Sequence, residues 1–158
     1  MRQDTLVFLV NDDTQELLLA MKKRGFGIGK LNGVGGKVQA GETIEAAAVR
    51  EAQEEVLVLI QEKDLVKVAE LTFHFKDKPE WSINCHVFFT RTWEGEPAES
   101  EEMAPEWFDT ARLPFDRMWV DDKYWLPMVL RGDYVQAELN FNNNGSELLL
   151  YKINGSKN

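Results

Sequence analysis

Cysteine and histidine are nearly absent from this chain. Cys85 is the single cysteine, and His74 and His86 are the only histidines. One thiol excludes an internal disulfide and fits a reducing compartment. A Cys/His zinc site has too few ligands, and a Ser-His-Asp or Cys-His nucleophilic centre is poorly supplied. No apolar run approaches the roughly 20 residues of a membrane span. The short apolar stretch at residues 6–10 lacks the length and the small-residue cleavage site of a secretory signal. Positive charge is scarce as well: 18 Lys and Arg stand against 27 Asp and Glu, a formal net charge of −9. So acidic a surface repels a phosphate backbone, which argues against a DNA- or RNA-binding module. The expectation is a cytoplasmic monomer that acts on a small molecule, with neither nucleic acid nor membrane as partner. If that molecule carries phosphates, a cation must mediate.

A chain of 158 residues is the size of one domain. Residues 1–153 are expected to form it, with 154–158 a frayed tail. Residues 5–10 and 16–22 read as two strands joined by the polar turn Asn11-Asp12-Asp13-Thr14. Seven glycines then crowd residues 25–41, which marks a loop held close to something. Residues 43–56 read as a helix capped by Thr43 or Gly41, with Glu42 and Glu45 near its positive end. Residues 65–75 and 81–92 are expected as strands around a turn at Asp77-Lys78-Pro79. Alternation in the second puts Cys85 on the apolar face, as core rather than nucleophile. Residues 94–103 read as an acidic loop, 107–108 as a short strand and 121–130 as a second helix. A closing hairpin spans 134–141 and 148–153, with Asn144-Gly145 a two-residue turn signal. Two helices among about seven strands, mostly antiparallel by their short connections, make an α+β sandwich.

The most informative segment is Arg50-Glu51-Ala52-Gln53-Glu54-Glu55. On a helix, Glu51, Glu54 and Glu55 stand at i, i+3 and i+4 and project from one patch beside the apolar stripe Ala48, Val49, Ala52 and Val56. Like charges at this spacing cost roughly 0.2–0.5 kcal/mol, and more when partly buried. A hard cation removes that repulsion, and clustered oxygen ligands suit Mg²⁺, Mn²⁺ or Ca²⁺. A solvated acidic face with an Arg50–Glu54 ion pair is the plainer alternative. The glycine loop in front of the helix decides against it. From Gly36 the order is five residues, Glu42, seven residues, Arg50-Glu51, two residues, Glu54-Glu55. No glycine triplet between 25 and 36 fits the dinucleotide-binding spacing. Neither Gly29-Lys30 nor Gly36-Lys37 is followed by the Ser or Thr of a phosphate loop.

This pattern resembles the signature of the Nudix hydrolases almost position for position. Two departures stand out: small Ala52 replaces an aliphatic residue, and Leu57 replaces the glycine that follows the glutamate pair. Beyond the signature, residues 21–27, Asn32-Gly33, 35–39, 41–45, Trp107-Phe108, Pro114-Phe115, Met118-Trp119 and Asp121-Asp122 resemble the branch of that family that hydrolyses oxidised purine nucleoside triphosphates. The resemblance implies the Nudix fold, mixed or antiparallel sheets between two helices in an α/β/α sandwich. It implies hydrolysis of a triphosphate such as 8-oxo-dGTP or 2-hydroxy-dATP to a nucleoside monophosphate and pyrophosphate. Glu51, Glu54 and Glu55 would hold Mg²⁺, or Mn²⁺ in its place, with the Gly36 carbonyl and Glu102 as further ligands. The base would act from among these carboxylates, with Arg50 alongside them. Thr5, Phe26, Asn32, Phe73, Ile83, Trp119, Asp121 and Asp122 would line a base pocket, and Lys22 would neutralise the phosphates. Asp121-Asp122 also reads as a helix cap before residues 123–125. Leu31 stands where that branch has Trp, beside Asn32, so pocket shape is expected to differ. Two other functions stay open: a Nudix enzyme acting on another nucleotide or nucleoside diphosphate derivative, and a non-catalytic module on the same scaffold.

Overall fold

The structure, a computed structural model, describes residues 1–157. Eight strands form: β1 Arg2–Asn11, β2 Glu16–Lys22, β3 Leu31–Asn32, β4 Val66–Phe75, β5 Ile83–Thr90, β6 Met103–Asp109, β7 Asp133–Phe141 and β8 Leu148–Lys157. Two helices, α1 Ile44–Val56 and α2 Asp122–Leu130, lie on opposite faces. Strand order is β3-β2-β1-β5-β4-β7-β8, with β6 against β2. Short connections join the antiparallel pairs β1–β2, β2–β3, β4–β5 and β7–β8, as predicted, whereas the antiparallel pair β2–β6 joins strands distant in sequence. The parallel pairs β1–β5 and β4–β7 join strands distant in sequence, where no local turn announces them.

Strand β1 explains the layering. Successive side chains on a strand point to opposite faces. Val7 and Leu9 pack in the cluster that receives Ala48, Ala52 and Val56 of α1. Leu6, Phe8 and Val10 pack in the cluster with Trp125, Leu126 and Val129 of α2. The small Ala52 is fully buried in the first cluster; a longer side chain there would push α1 off the sheet.

Helix α1 begins where the sequence places it: the Thr43 hydroxyl accepts the Ala46 N–H at 3.1 Å. It ends at Leu57, which takes the left-handed conformation, φ 63° and ψ 29°, and donates its N–H to the Gln53 carbonyl. The cap geometry therefore survives loss of the glycine, held by a residue that finds it costly.

Four sequence expectations need correction. Residues 154–157 are not a frayed tail but continue β8, with Gly155 opposite Val135 and Lys157 opposite Asp133; residue 158 lies outside the described residues. The Asn144-Gly145 signal does not close a two-residue turn. The loop runs between the Asn142 N–H and the Glu147 carbonyl, with a register shift at Asn140/Phe141. Trp81 precedes its expected strand, in a single 3₁₀ turn at Pro79–Trp81. The strand expected at residues 107–108 is seven residues long, because Met103–Asp109 pairs with the whole of β2.

Candidate active site

The glycine loop lies against β1. Thr5 donates to the Gly36 carbonyl at 2.9 Å, and Val7 and Val34 exchange hydrogen bonds at 2.6 and 2.9 Å. The approach is so close at Gly35 that an added Cβ would stand 1.8 Å from the Thr5 carbonyl oxygen. This contact delivers the loop to α1. The Gly35 N–H donates to Glu55 Oε1 at 2.7 Å, and a Cβ on Gly36 would come within 2.7 Å of Glu51 Oε1.

The three glutamates differ in burial although one Arg50 nitrogen reaches two of them. Glu55 is buried against the loop, Glu51 is partly buried and Glu54 is exposed. Arg50 ties them together. Its guanidinium donates to Glu42 at 2.7 and 3.0 Å, to Glu51 at 2.9 Å, to Glu54 at 3.2 Å and to the Lys37 carbonyl at 3.1 Å. The i, i+4 pair with Glu54 thus exists, as one arm of a larger fork. Glu102 arrives from the other side. The Lys23 N–H donates to its carbonyl at 2.8 Å, and its carboxylate meets Arg24 at 3.2 Å.

Burial pushes the Glu55 carboxyl up to about 8, against the Gly35 hydrogen bond, and the charges of Glu51 and Glu102 push the same way. Burial also raises Glu51, against Arg50, with Glu54 and Glu102 adding repulsion. Among the described residues, no three metal-binding side chains stand close enough together to enclose an ion. The donors nevertheless suit a hard divalent cation: they are all oxygens, with Glu55 buried and Glu51 half-buried. The Gly36 backbone is bare of the Cβ that would fill the space beside Glu51.

A cleft of about 410 Å³ opens between the glycine loop, β1 and the start of α2. Thr5, Lys22, Phe26, Asn32, Gly36, Phe73, Ile83, Trp119, Asp121 and Asp122 all line it, so the pocket residues expected from sequence come together. Phe26 and Trp119 stand 5.3 Å apart between ring centroids, with Phe26 largely exposed. Trp119 packs so closely on Gly27 that a Cβ there would lie 2.8 Å from the indole.

Asp121 and Asp122 are 2% and 3% exposed. Asp121 sits at the start of α2 without capping it; its Oδ2 accepts the Trp125 indole N–H at 2.8 Å instead. Burial raises its carboxyl to about 6. Burial, then the charge of Asp121, pushes Asp122 well above the ordinary aspartate range. Asp122 Oδ2 and Thr5 Oγ1 are buried with no hydrogen-bond partner, a costly condition that a polar ligand would relieve.

Some lining residues went unforeseen: Arg2, Asp4, Lys30, Phe75, Cys85 and Phe141. Lys30 stands 5.8 Å from the Trp119 ring centroid. The period-two stripe of β1 could have found Asp4, two residues before Leu6 on the same face. Leu31 does not reach the cleft: it points away from Asn32 and is buried in the α2-side core. That departure alters packing rather than the pocket lining.

The NUDIX domain model matches residues 1–129. The chain is 49% identical over 127 residues to the oxidized purine nucleoside triphosphate hydrolase of zebrafish, covering 80% of this chain and 78% of that one. Identity to the mouse protein of the same name is 46%, with the same coverage. Among solved structures, a MutT protein from Bacillus halodurans superposes with a TM-score of 0.84, covering 98% of each chain at 23% identity. By domain model, relatives and fold, the chain belongs to the Nudix hydrolase family.

Proposed function

We propose that this chain hydrolyses oxidised purine nucleoside triphosphates, 8-oxo-dGTP foremost, to the monophosphate and pyrophosphate, and so cleanses the nucleotide pool. The observation that carries this reading is the buried Asp121–Asp122 pair, one oxygen unpartnered, in an aromatic cleft that adjoins the glutamate cluster. Two close carboxyls in a dry site favour holding a proton between them, so one donates while the other accepts. Such a pair matches a purine edge that carries both a carbonyl and an N–H. The names of the zebrafish, mouse and Escherichia coli relatives point to the same substrates. We place the protein in the cytoplasm as a monomer; among the described residues, no helix is long and apolar enough to cross a membrane.

In this reading Trp119 and Phe26 stack on the base and Asn32 reads its edge, while Lys22 balances phosphate charge. Glu51, Glu54, Glu55, Glu102 and the Gly36 carbonyl would hold Mg²⁺, or Mn²⁺ in its place. When bound, the ion would neutralise phosphate charge and lower the pKa of an attacking water. The water oxygen bonds to phosphorus, the bond to the pyrophosphate oxygen breaks, and the water's proton passes to a carboxylate of this cluster. Arg50 keeps Glu51 and Glu54 oriented. Turnover of 8-oxo-dGTP and dGTP with Mg²⁺ tests the reading: preference for the oxidised nucleotide is expected, and equal slow turnover of both would sink it.

A further inference from the structure

The stripe of β1 that buries Val10, Phe8 and Leu6 continues toward the chain start with Asp4 and Arg2. Both line the cleft, where alternation calls for apolar residues. Asp4 pairs in register with Cys85 of β5, another lining residue. Arg2 grips Asp4 with a two-point fork, Nε to Oδ1 at 2.7 Å and Nη2 to Oδ2 at 3.0 Å. Each carboxylate oxygen keeps a further lone pair for a ligand. The other polar groups of the cleft serve differently. Asn32 Oδ1 accepts the Gly33 N–H at 2.9 Å and its amide is free to donate, so a neutral side chain serves both roles there without the charge that would repel a lone pair. Lys22, Lys30 and Arg2 only donate. The Asp121–Asp122 pair tends to hold a proton. Asp4 is therefore the carboxylate in this cleft fixed as an acceptor by a cation.

We infer that Asp4, held by Arg2, is a specificity residue that accepts the N7–H of a C8-oxidised purine. Oxidation at C8 to the carbonyl form places a hydrogen on N7, which turns an acceptor into a donor. A fixed carboxylate attracts that N–H and repels the N7 lone pair of the ordinary base, so one residue both selects and rejects. The inference rests on the function proposed above and goes further, naming the atom that is read.

Titration calorimetry with the monophosphates 8-oxo-dGMP, dGMP and 8-bromo-dGMP separates the two claims, without turnover. The wild-type protein is expected to prefer 8-oxo-dGMP over both others, because 8-bromo-dGMP has bulk at C8 but no N7–H. Asp4→Asn is expected to weaken 8-oxo-dGMP by about 10-fold or more, the size of one hydrogen bond to a charged group, and to leave dGMP unchanged or tighter. Arg2→Ala is expected to lose a smaller part of the same preference. Equal loss for 8-oxo-dGMP and dGMP in Asp4→Asn would make Asp4 merely structural and overturn the inference. So would wild-type binding of 8-bromo-dGMP as tight as 8-oxo-dGMP, a result independent of how well the variants fold. A wild type with no preference for 8-oxo-dGMP over dGMP sinks the proposed function itself, and this inference with it.

Discussion

Replacing Asp121 with Asn should make the protein more stable, and increasingly so as pH rises. Burial lifts this carboxyl from the ordinary 3.8 to about 6, against the pull of the Trp125 hydrogen bond. The folded chain thus binds the proton more tightly than the unfolded chain. Stability is full below the unfolded value and drains away as pH climbs toward the folded one. A rise of this size corresponds to a few kcal/mol once the pH is well above 6, of which on the order of 1 kcal/mol is lost between about pH 5 and about pH 8. Asn keeps an oxygen to accept the Trp125 N–H and has no charge to bury. It also relieves Asp122, whose carboxyl Asp121 pushes up. Glu51 and Glu55 are raised too, but they contribute alike to both proteins and cancel in the comparison. Urea denaturation of wild type and variant across this range gives the difference directly, provided the slope with urea is unchanged. A stability difference that stays flat or shrinks with rising pH would refute the argument that burial, rather than local packing, governs this pair.

Glu55→Gln preserves an acceptor for the Gly35 N–H, so the fold should hold while metal-dependent turnover falls by about 100-fold or more; full turnover would show that the metal reading is wrong. Leu57→Gly removes the penalty of a left-handed leucine, about 1–2 kcal/mol, at an entropic cost of about 0.5–1 kcal/mol. Its melting temperature should therefore rise by roughly 1–4 °C, whereas Leu57→Ala should show no gain. Trp119→Ala should raise KM by about 10-fold or more through lost stacking, with kcat little changed; an unaltered KM would exclude the indole from the base site.

Features that depend on neighbouring residues were legible in the sequence. The spacing of Glu51, Glu54 and Glu55, the Thr43 cap and the inward turn of Cys85 follow from periods of 3.6 and 2, and the structure has the cap and the burial as expected. Partnerships across the sheet were not. Alternation along β1 puts Asp4 on the face of Leu6, but only the parallel pairing with β5 sets it beside Cys85. Residues 154–157 look like polar tail until β7 lies alongside, with Lys157 Nζ 3.1 Å from Asp133 Oδ1. The division of labour among the glutamates was equally hidden. Helical spacing puts them near one another, but the Gly35 N–H draws Glu55 inward, Glu51 sits half-buried beside Gly36, and only Glu54, on the same Arg50 fork, faces solvent.

Strand β1 has α1 on one side and α2 on the other, one alternate set of side chains for each. The carboxylates proposed to cut and the carboxylates proposed to choose are therefore mounted on opposite faces of a single ribbon. Sliding that ribbon by one residue would exchange its two faces and misplace both helices together. Recognition and cleavage are in this sense gauged by the same ruler, and a nucleotide must span a distance that neither helix can reset alone.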